Sequence, residues 1–255
     1  MRQIWRACFG DDEAYLDFFL QNRFVPDDTP VLTLDDTVVS QLFLLPAHLR
    51  ADDVFVPIDY LFAAATDPVF QGRGYMRLLL REAERLSRSR GKAAVVLLPG
   101  TDALYDYYAK SGYEPAFTRR ELRCSREALQ RMAVPAGEPA DALPVLRSIL
   151  RCRNGIVWDD DALRYALSEY SEFRGAYAAA AGAFACADGD AAAVIALPGD
   201  LSRGFDLLLR CSDAQSFALT LPPDAPFGEL RRGGMIRFLR ETFPIQQAFL
   251  SFAME

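Results

Sequence analysis

The chain has 255 residues, 51% of them hydrophobic and 25% charged, with a net charge of −7 at pH 7 and a single histidine. That is core material for one large or two ordinary domains, which excludes a disordered chain, and the acidic balance (pI ≈ 4.9) argues against nucleic-acid binding, which needs a dense basic surface to displace counterions. Five cysteines without a C-x-x-C pair suit reduced thiols in the cytoplasm and no zinc cluster, and the lone His48 argues against a histidine metal site.

The apolar stretches at 178–187 and 191–197 are too short and interrupted to span a bilayer, and MRQIWRACFGDDEAY turns acidic before any secretory signal develops. The expectation is a cytoplasmic protein with neither a membrane segment nor a leader. Its acidity suits a cationic partner such as an amine.

In chain order, residues 1–21 predict two helices broken at Gly10, with Asp11, Asp12 and Glu13 charging the second helix start. Residues 31–34 and 38–45 predict a hairpin turning at Asp35-Asp36, followed by Pro46 and a polar loop. VFVPIDYLFAAAT, 54–66, predicts a long strand, and 75–90 a helix stopped by Gly91. A strand at 93–98, a helix at 102–110 and a strand at 113–123 follow. The Pro/Gly/Ala-rich stretch 133–144 marks a boundary between domains at 1–132 and 133–255. Beyond it, helices at 141–150 and 159–170 precede a hairpin at 176–197 around Asp-Gly-Asp. Residues 201–211 lean towards helix, and 216–221 and 246–254 predict strands. The second half thus echoes the first, and the fold class is mixed α/β.

The chemistry concentrates in Gln71-Gly72-Arg73-Gly74, between a strand and a helix N-terminus. Unpaired amides and the positive end of the helix dipole meet there, and two glycines let an anion approach the backbone. The run is neither G-x-G-x-x-G nor G-x-x-x-x-G-K-[ST], which disfavours a nucleotide fold; a plain glycine-rich turn is the bland alternative.

The run TDPVFQGRGYMRLLL resembles the acyl-CoA pyrophosphate loop of the GCN5-related N-acetyltransferases (GNAT), whose pattern is Arg/Gln-x-x-Gly-x-Gly/Ala. Gln71 and Gly74 match, and Met76 stands where the family usually has Gly or Ala. Downstream, LYDYYAKSGYEPAF resembles the family's L-Y-x-x-x-G-F segment. The resemblance covers residues 1–124 well and extends, less specifically, to the tandem-domain Eis-like branch, in which an active GNAT domain precedes a degenerate copy. It implies a catalytic GNAT domain over 1–132 and a degenerate GNAT-like domain over 133–255 that shapes the acceptor cleft and does not bind coenzyme. In the second half, RRGGMI at 231–236 is the one candidate for another such loop, and it reads as the turn before a final strand. The sterol-carrier-like third domain of the longest Eis-like enzymes is not expected.

The activity implied is acetyl-CoA-dependent N-acetylation of a small-molecule or peptide amine, without a metal, a nucleic-acid partner or a membrane; a homo-oligomer is left open. Gln71, Gly72, Arg73, Gly74, Tyr75, Met76 and Arg77 would receive the diphosphate. Ala64, Ala65 and Thr66 would lie along the pantetheine arm, one of their N–H groups facing the thioester oxygen. Tyr108, five residues before Tyr113, would protonate the leaving thiolate, with Tyr105 one turn earlier as the alternative. Glu255 is a candidate base through the chain's own terminal carboxylate, against a frayed tail, His48, or cleft carboxylates acting through water. Two rival readings are a non-catalytic acyl-CoA-binding regulatory module, and a transferase acting on peptide- or tRNA-linked substrates.

Overall fold

The computed structural model describes residues 1–251. The expected strand at 246–254 and Glu255 therefore fall partly or wholly outside the described residues. In chain order come helices α1 (Arg2–Phe9) and α2 (Glu13–Asn22), strands β1 (Val31–Leu34), β2 (Thr37–Ala51) and β3 (Val54–Thr66), then α3 (Tyr75–Ser89), β4 (Ala94–Leu97), α4 (Asp102–Ala109) and β5 (Glu114–Ser125). After α5 (Arg126–Met132) follow α6 (Ala142–Arg151), β6 (Gly155–Val157), α7 (Asp160–Glu169), β7 (Ala176–Ala180), β8 (Ala183–Asp188), β9 (Ala191–Ala196), α8 (Leu201–Cys211), β10 (Ser216–Leu221) and β11 (Glu229–Phe238).

Local chemistry fixes these boundaries. Asp12, Asp141 and Asp159 each accept a backbone N–H in the first turn of α2, α6 and α7, satisfying a donor that the helix leaves open. Asp35 and Asp36 both take positive φ (46° and 61°), the geometry of a tight hairpin turn, so β1 and β2 pair directly. β2 runs on through Pro46 instead of ending there. Pro46 falls between the stretch paired to β1 and the stretch paired to β6, where a missing N–H breaks no ladder.

The strands form one 11-stranded sheet in the order β1-β2-β3-β4-β11-β5-β10-β9-β8-β7, with β6 on the free edge of β2. The two ends mirror each other. β1-β2-β3 are antiparallel and β3-β4 parallel, just as β7-β8-β9 are antiparallel and β9-β10 parallel. At the centre the halves exchange strands. β5, from the first half, pairs with β10, and β11, from the second half, pairs with β4; β5 and β11 pair with each other. RRGGMI at 231–236, expected as a turn, is part of β11: it pairs with β5, and Met235 and Ile236 pair with β4 as well, which outweighs the glycine propensity for turns.

Alternation along the strands splits the core between the two faces. Phe43, Leu45, Ile58 and Tyr60 pack with Trp5, Phe19, Leu146 and Leu163 of α1, α2, α6 and α7. Leu42, Leu44, Leu61 and Val95 pack on the other face with Leu79, Leu80 and Tyr105 of α3 and α4. In the second half that other face carries α8 and α5, through Phe205, Leu208 and Leu129. Among the described residues no helix is long and apolar enough to cross a membrane.

Candidate active site

β3 and β4 pair only from Ile58/Ala94 to Tyr60/Val96, and β4 ends at Leu97 while β3 continues to Thr66. On the other side, β11 meets β4 only from Met235 onward, so its residues 229–234 also run past the end of β4. The edges of β3 at 61–66 and of β11 at 229–234 therefore face one another across a slot that no strand fills. In a sheet such edges are rows of unpaired backbone donors and acceptors.

β3 bears a bulge at this point. Its register against β2 shifts between Gln41/Ala65 and Phe43/Phe62, and Ala63 takes φ 46°, a left-handed conformation uncommon for alanine. The bulge sets Ala63 and Ala64 outside the regular ladder at the slot. Gln41, paired with Ala65, is fully buried, and neither its Oε1 nor its Nε2 has a partner among the described residues.

At the mouth of the slot, residues 67–74 lead into α3. Asp67 caps a short turn through the Val69 N–H, and the Gln71 side chain bonds the Thr66 carbonyl at 3.1 Å, tying the loop to the end of β3. Gly72 and Gly74 take φ 75° and 82°, and a Cβ at either would meet nothing within 4 Å. Gly74 is the N-cap of α3 and offers no side-chain cap, and the first helical bond runs from Leu78 to Gly74. Among the described residues the amides of 72–77 have no protein partner, so they point into open space at the positive end of the helix. Arg73 and Arg77 are exposed beside them, with Arg73 over the Phe70 ring at 5.3 Å; Tyr75 and Met76 are half-buried.

Below the slot, on the α3/α4 face, Tyr108 is 8% exposed and shares a cluster with Leu61, Leu97 and Met235; Ala64 and Met76 pack against it. Burial pushes its phenol up to about 12, so it stays protonated at neutral pH. Tyr105 lies under β11: Arg232 sits 4.2 Å over its ring and bonds Asp102, and burial is the main reason its phenol is raised. Tyr108 and Tyr105 therefore occupy different positions beneath the same opening. His48, expected in a surface loop, lies in β2 stacked on Phe55 at 4.8 Å, and burial lowers its pKa. Asp12 caps α2 and Asp11 holds the Trp5 indole at 2.7 Å, both structural tasks.

The far wall of the slot, β11, is not apparent from the sequence. Its signal, Arg231-Arg232-Gly233-Gly234, is present, but only the sheet order shows which slot it serves. The topological counterpart of the 67–74 loop in the second half, between β9 and α8, is Leu197-Pro198-Gly199-Asp200. It is half as long, has no arginine or glutamine, and sets a carboxylate at the helix start, where an anion would be repelled. The slot beyond β10 is filled by the chain itself. Thr118 donates to the Ala248 carbonyl, Phe249 bridges Gly155, and Arg153 bonds the Ala196 carbonyl at 2.8 Å and Asp224.

The site is thus a mixed sheet parted by one open slot among the described residues, with an uncapped glycine-rich helix start at its mouth. Residues 1–116 match the sequence model of the acetyltransferase (GNAT) domain. The fold of the whole chain is similar to that of a GCN5-related N-acetyltransferase from Kribbella flavida (TM-score 0.69, 18% identity, 92% of this chain and 68% of that one). It is also similar to Eis1 from Mycobacterium abscessus (0.61, 14%, 89% and 70%) and to a GCN5-related N-acetyltransferase from Anabaena variabilis (0.65, 16%, 93% and 69%). A comparison with curated protein sequences returns no match. The N-terminal part of the chain is thus a GNAT acetyltransferase domain.

Proposed function

We propose that the protein is an acetyl-CoA-dependent N-acetyltransferase acting on a primary amine of a small molecule or peptide. The observation that carries this reading is the pair of free edges, β3 at 61–66 and β11 at 229–234, opening onto partnerless amides at Gly72–Arg77. The residues fit the coenzyme. Two glycines leave the space a diphosphate needs, and a free strand edge suits the amide-bearing arm, which can pair with it as a strand would.

When bound, acetyl-CoA supplies an activated acyl group. The chain's own residues do the rest. The amides of Gly72–Arg77, with Arg73 and Arg77, hold the diphosphate. The bulged backbone at Ala63 and Ala64 presents N–H groups to the acyl oxygen, where they stabilise developing negative charge. Tyr108 holds a proton for the departing sulfur, and its raised pKa keeps that proton in place until it is needed. The acceptor amine loses its proton to water in the cleft. In this reading the second half is a degenerate copy whose own slot is plugged and which shapes the acceptor side.

The test is a panel of amines assayed by release of free CoA thiol, with a thermal shift by acetyl-CoA measured in parallel. Turnover with at least one amine is expected. A thermal shift without turnover on any amine would leave a regulatory acyl-CoA-binding module; no shift at saturating ligand would remove the loop assignment.

A further inference from the structure

The β2–β3 ladder ends on a pair of hydroxyls that the mechanism above does not use. Past the bulge the ladder runs through Gln41–Ala65 and Ser40–Thr66 to the Asp67 N–H, which bonds the Val39 carbonyl at 3.0 Å. Hydrogen-bonded and non-hydrogen-bonded pairs alternate along an antiparallel ladder, so Ser40 and Thr66 are a non-hydrogen-bonded pair, the kind that brings side chains closest. Their hydroxyl oxygens lie 2.9 Å apart, and Ser40 Oγ donates to the Ala65 carbonyl at 3.1 Å. Since the Ser40 proton is spent on Ala65, Thr66 is the donor between the two hydroxyls. Ser40 is fully buried, where a hydroxyl without partners is costly.

Thr66 is held from further sides. Its carbonyl accepts from Gln71 Nε2 of the loop at 3.1 Å and from the Cys8 thiol of α1 at 3.5 Å. Ala65, whose carbonyl Ser40 holds, directly follows Ala63 and Ala64, the two residues outside the ladder. A slip of the ladder that relaxed the left-handed Ala63 would part Ser40 from both Thr66 and the Ala65 carbonyl. Ser40 stands on β2, with β3 between it and the slot, so it acts on the site only through Thr66 and Ala65.

We propose that Ser40 and Thr66 are positioning residues whose paired hydroxyls lock the β3 register, so that the bulged amides at Ala63 and Ala64 keep their aim at the acyl oxygen. The inference rests on the acyl-transfer reading above and adds the residues that make its oxyanion donors rigid. Such donors help only when fixed before the charge develops, and a misplacement of about 1 Å can cost on the order of 100-fold in rate.

The experiment reads the thioester carbonyl of bound, isotope-labelled acetyl-CoA by difference infrared spectroscopy, beside kcat and KM with the fastest amine of the panel. In the wild type the band should lie below that of free acetyl-CoA. Ser40→Ala should return it towards the free position and lower kcat roughly ten- to a hundredfold, with KM for acetyl-CoA within a factor of about two. Thr66→Val, which loses the hydroxyl at nearly constant shape, should do the same, and it carries the test if Ser40→Ala loses its thermal transition. The double variant should lose no more than either single one, because the pair acts as a unit. Ser87→Ala is the structural control: it removes an equally buried hydroxyl, bonded to Asp59 at 2.6 Å, and should lower Tm while leaving band and kcat unchanged. An unchanged band or kcat in folded Ser40→Ala, an equal kcat loss in Ser87→Ala, or losses that multiply in the double variant overturns the pair and leaves the transferase standing. If no amine is acetylated, yet the band is lowered in the wild type and released in Ser40→Ala, the pair stands and the transferase falls. A wild-type band at the free position overturns both the bulge donors and the pair.

Discussion

Thr118 donates its backbone N–H to the carbonyl oxygen of Ala248 at 2.9 Å, on the β10 side of β5 just beyond the last β10 pairing. The mirror-related place in the first half, the edge of β11 beyond β4, has no such partner among the described residues. One half of the sheet keeps its gap and the other closes it with its own backbone, so the function proposed above predicts one coenzyme per chain.

Gly74→Ala places a side chain at φ 82°, and Gly10→Ala does the same at φ 78° at the end of α1; a Cβ at either site meets open space. Each should cost about 1–2 kcal/mol of stability by backbone strain. Only Gly74→Ala should reduce the thermal shift given by acetyl-CoA, since only that site adjoins the free amides. Equal thermal shifts in the two variants would place the coenzyme elsewhere.

Tyr108→Phe should lower kcat by about 100-fold or more while leaving acetyl-CoA affinity within a factor of two or so. A second signature lies in alkali. The folded protein holds the Tyr108 proton up to about 12, against 10.0 for an ordinary phenol. The unfolded chain therefore releases that proton first, and stability present below pH 10 is lost as the pH rises towards 12, by on the order of 2–3 kcal/mol. The Phe variant should show a shallower decline of Tm over that window, one proton's worth less than wild type.

Ala63 holds φ 46° in the β3 bulge. Ala63→Gly should therefore leave stability unchanged or raise it by about 0.5–1 kcal/mol, whereas Ala63→Val should lower it by about 1–3 kcal/mol. Urea unfolding separates these outcomes. A destabilised Gly variant would mean that the bulge is held by contacts of the Ala63 methyl and not in spite of its backbone.

Gly155 takes φ 138°, and a Cβ there would come within 2.0 Å of the Phe249 carbonyl oxygen. Gly155→Ala should push the 248–251 segment off β5 and β6 and cost on the order of 3 kcal/mol or more. Gly137→Ala, at φ 84° with open space around it, is the matched control and should cost about 1 kcal/mol. Differential scanning calorimetry would show the contrast.

Local signals in the sequence carry most of the element boundaries. The Asp12, Asp141 and Asp159 caps, the Asp35-Asp36 turn and the apolar stripe of α3 all act within a few residues, so they can be read before the fold is known. The glycine-rich loop at 71–74 is legible for the same reason. What the sequence hides is non-local. Nothing in 229–238 announces that it will pair with 94–97 and 114–121, nor that its glycines sit at bulges. Pro46 misleads because its effect depends on whether a neighbour lies on that edge.

The crossing of β5 and β11 also constrains how the molecule comes into being. While the ribosome is still making the second half, β4 has an open flank and β5 has no neighbour on either side, since β11 and β10 both come later in the chain. The first half of the sheet therefore waits, incomplete, until residue 238 has emerged, and it is expected not to fold as an independent module. Two separately expressed pieces, divided in the 133–141 connection, should each be insoluble or molten alone and recover a native structure when mixed.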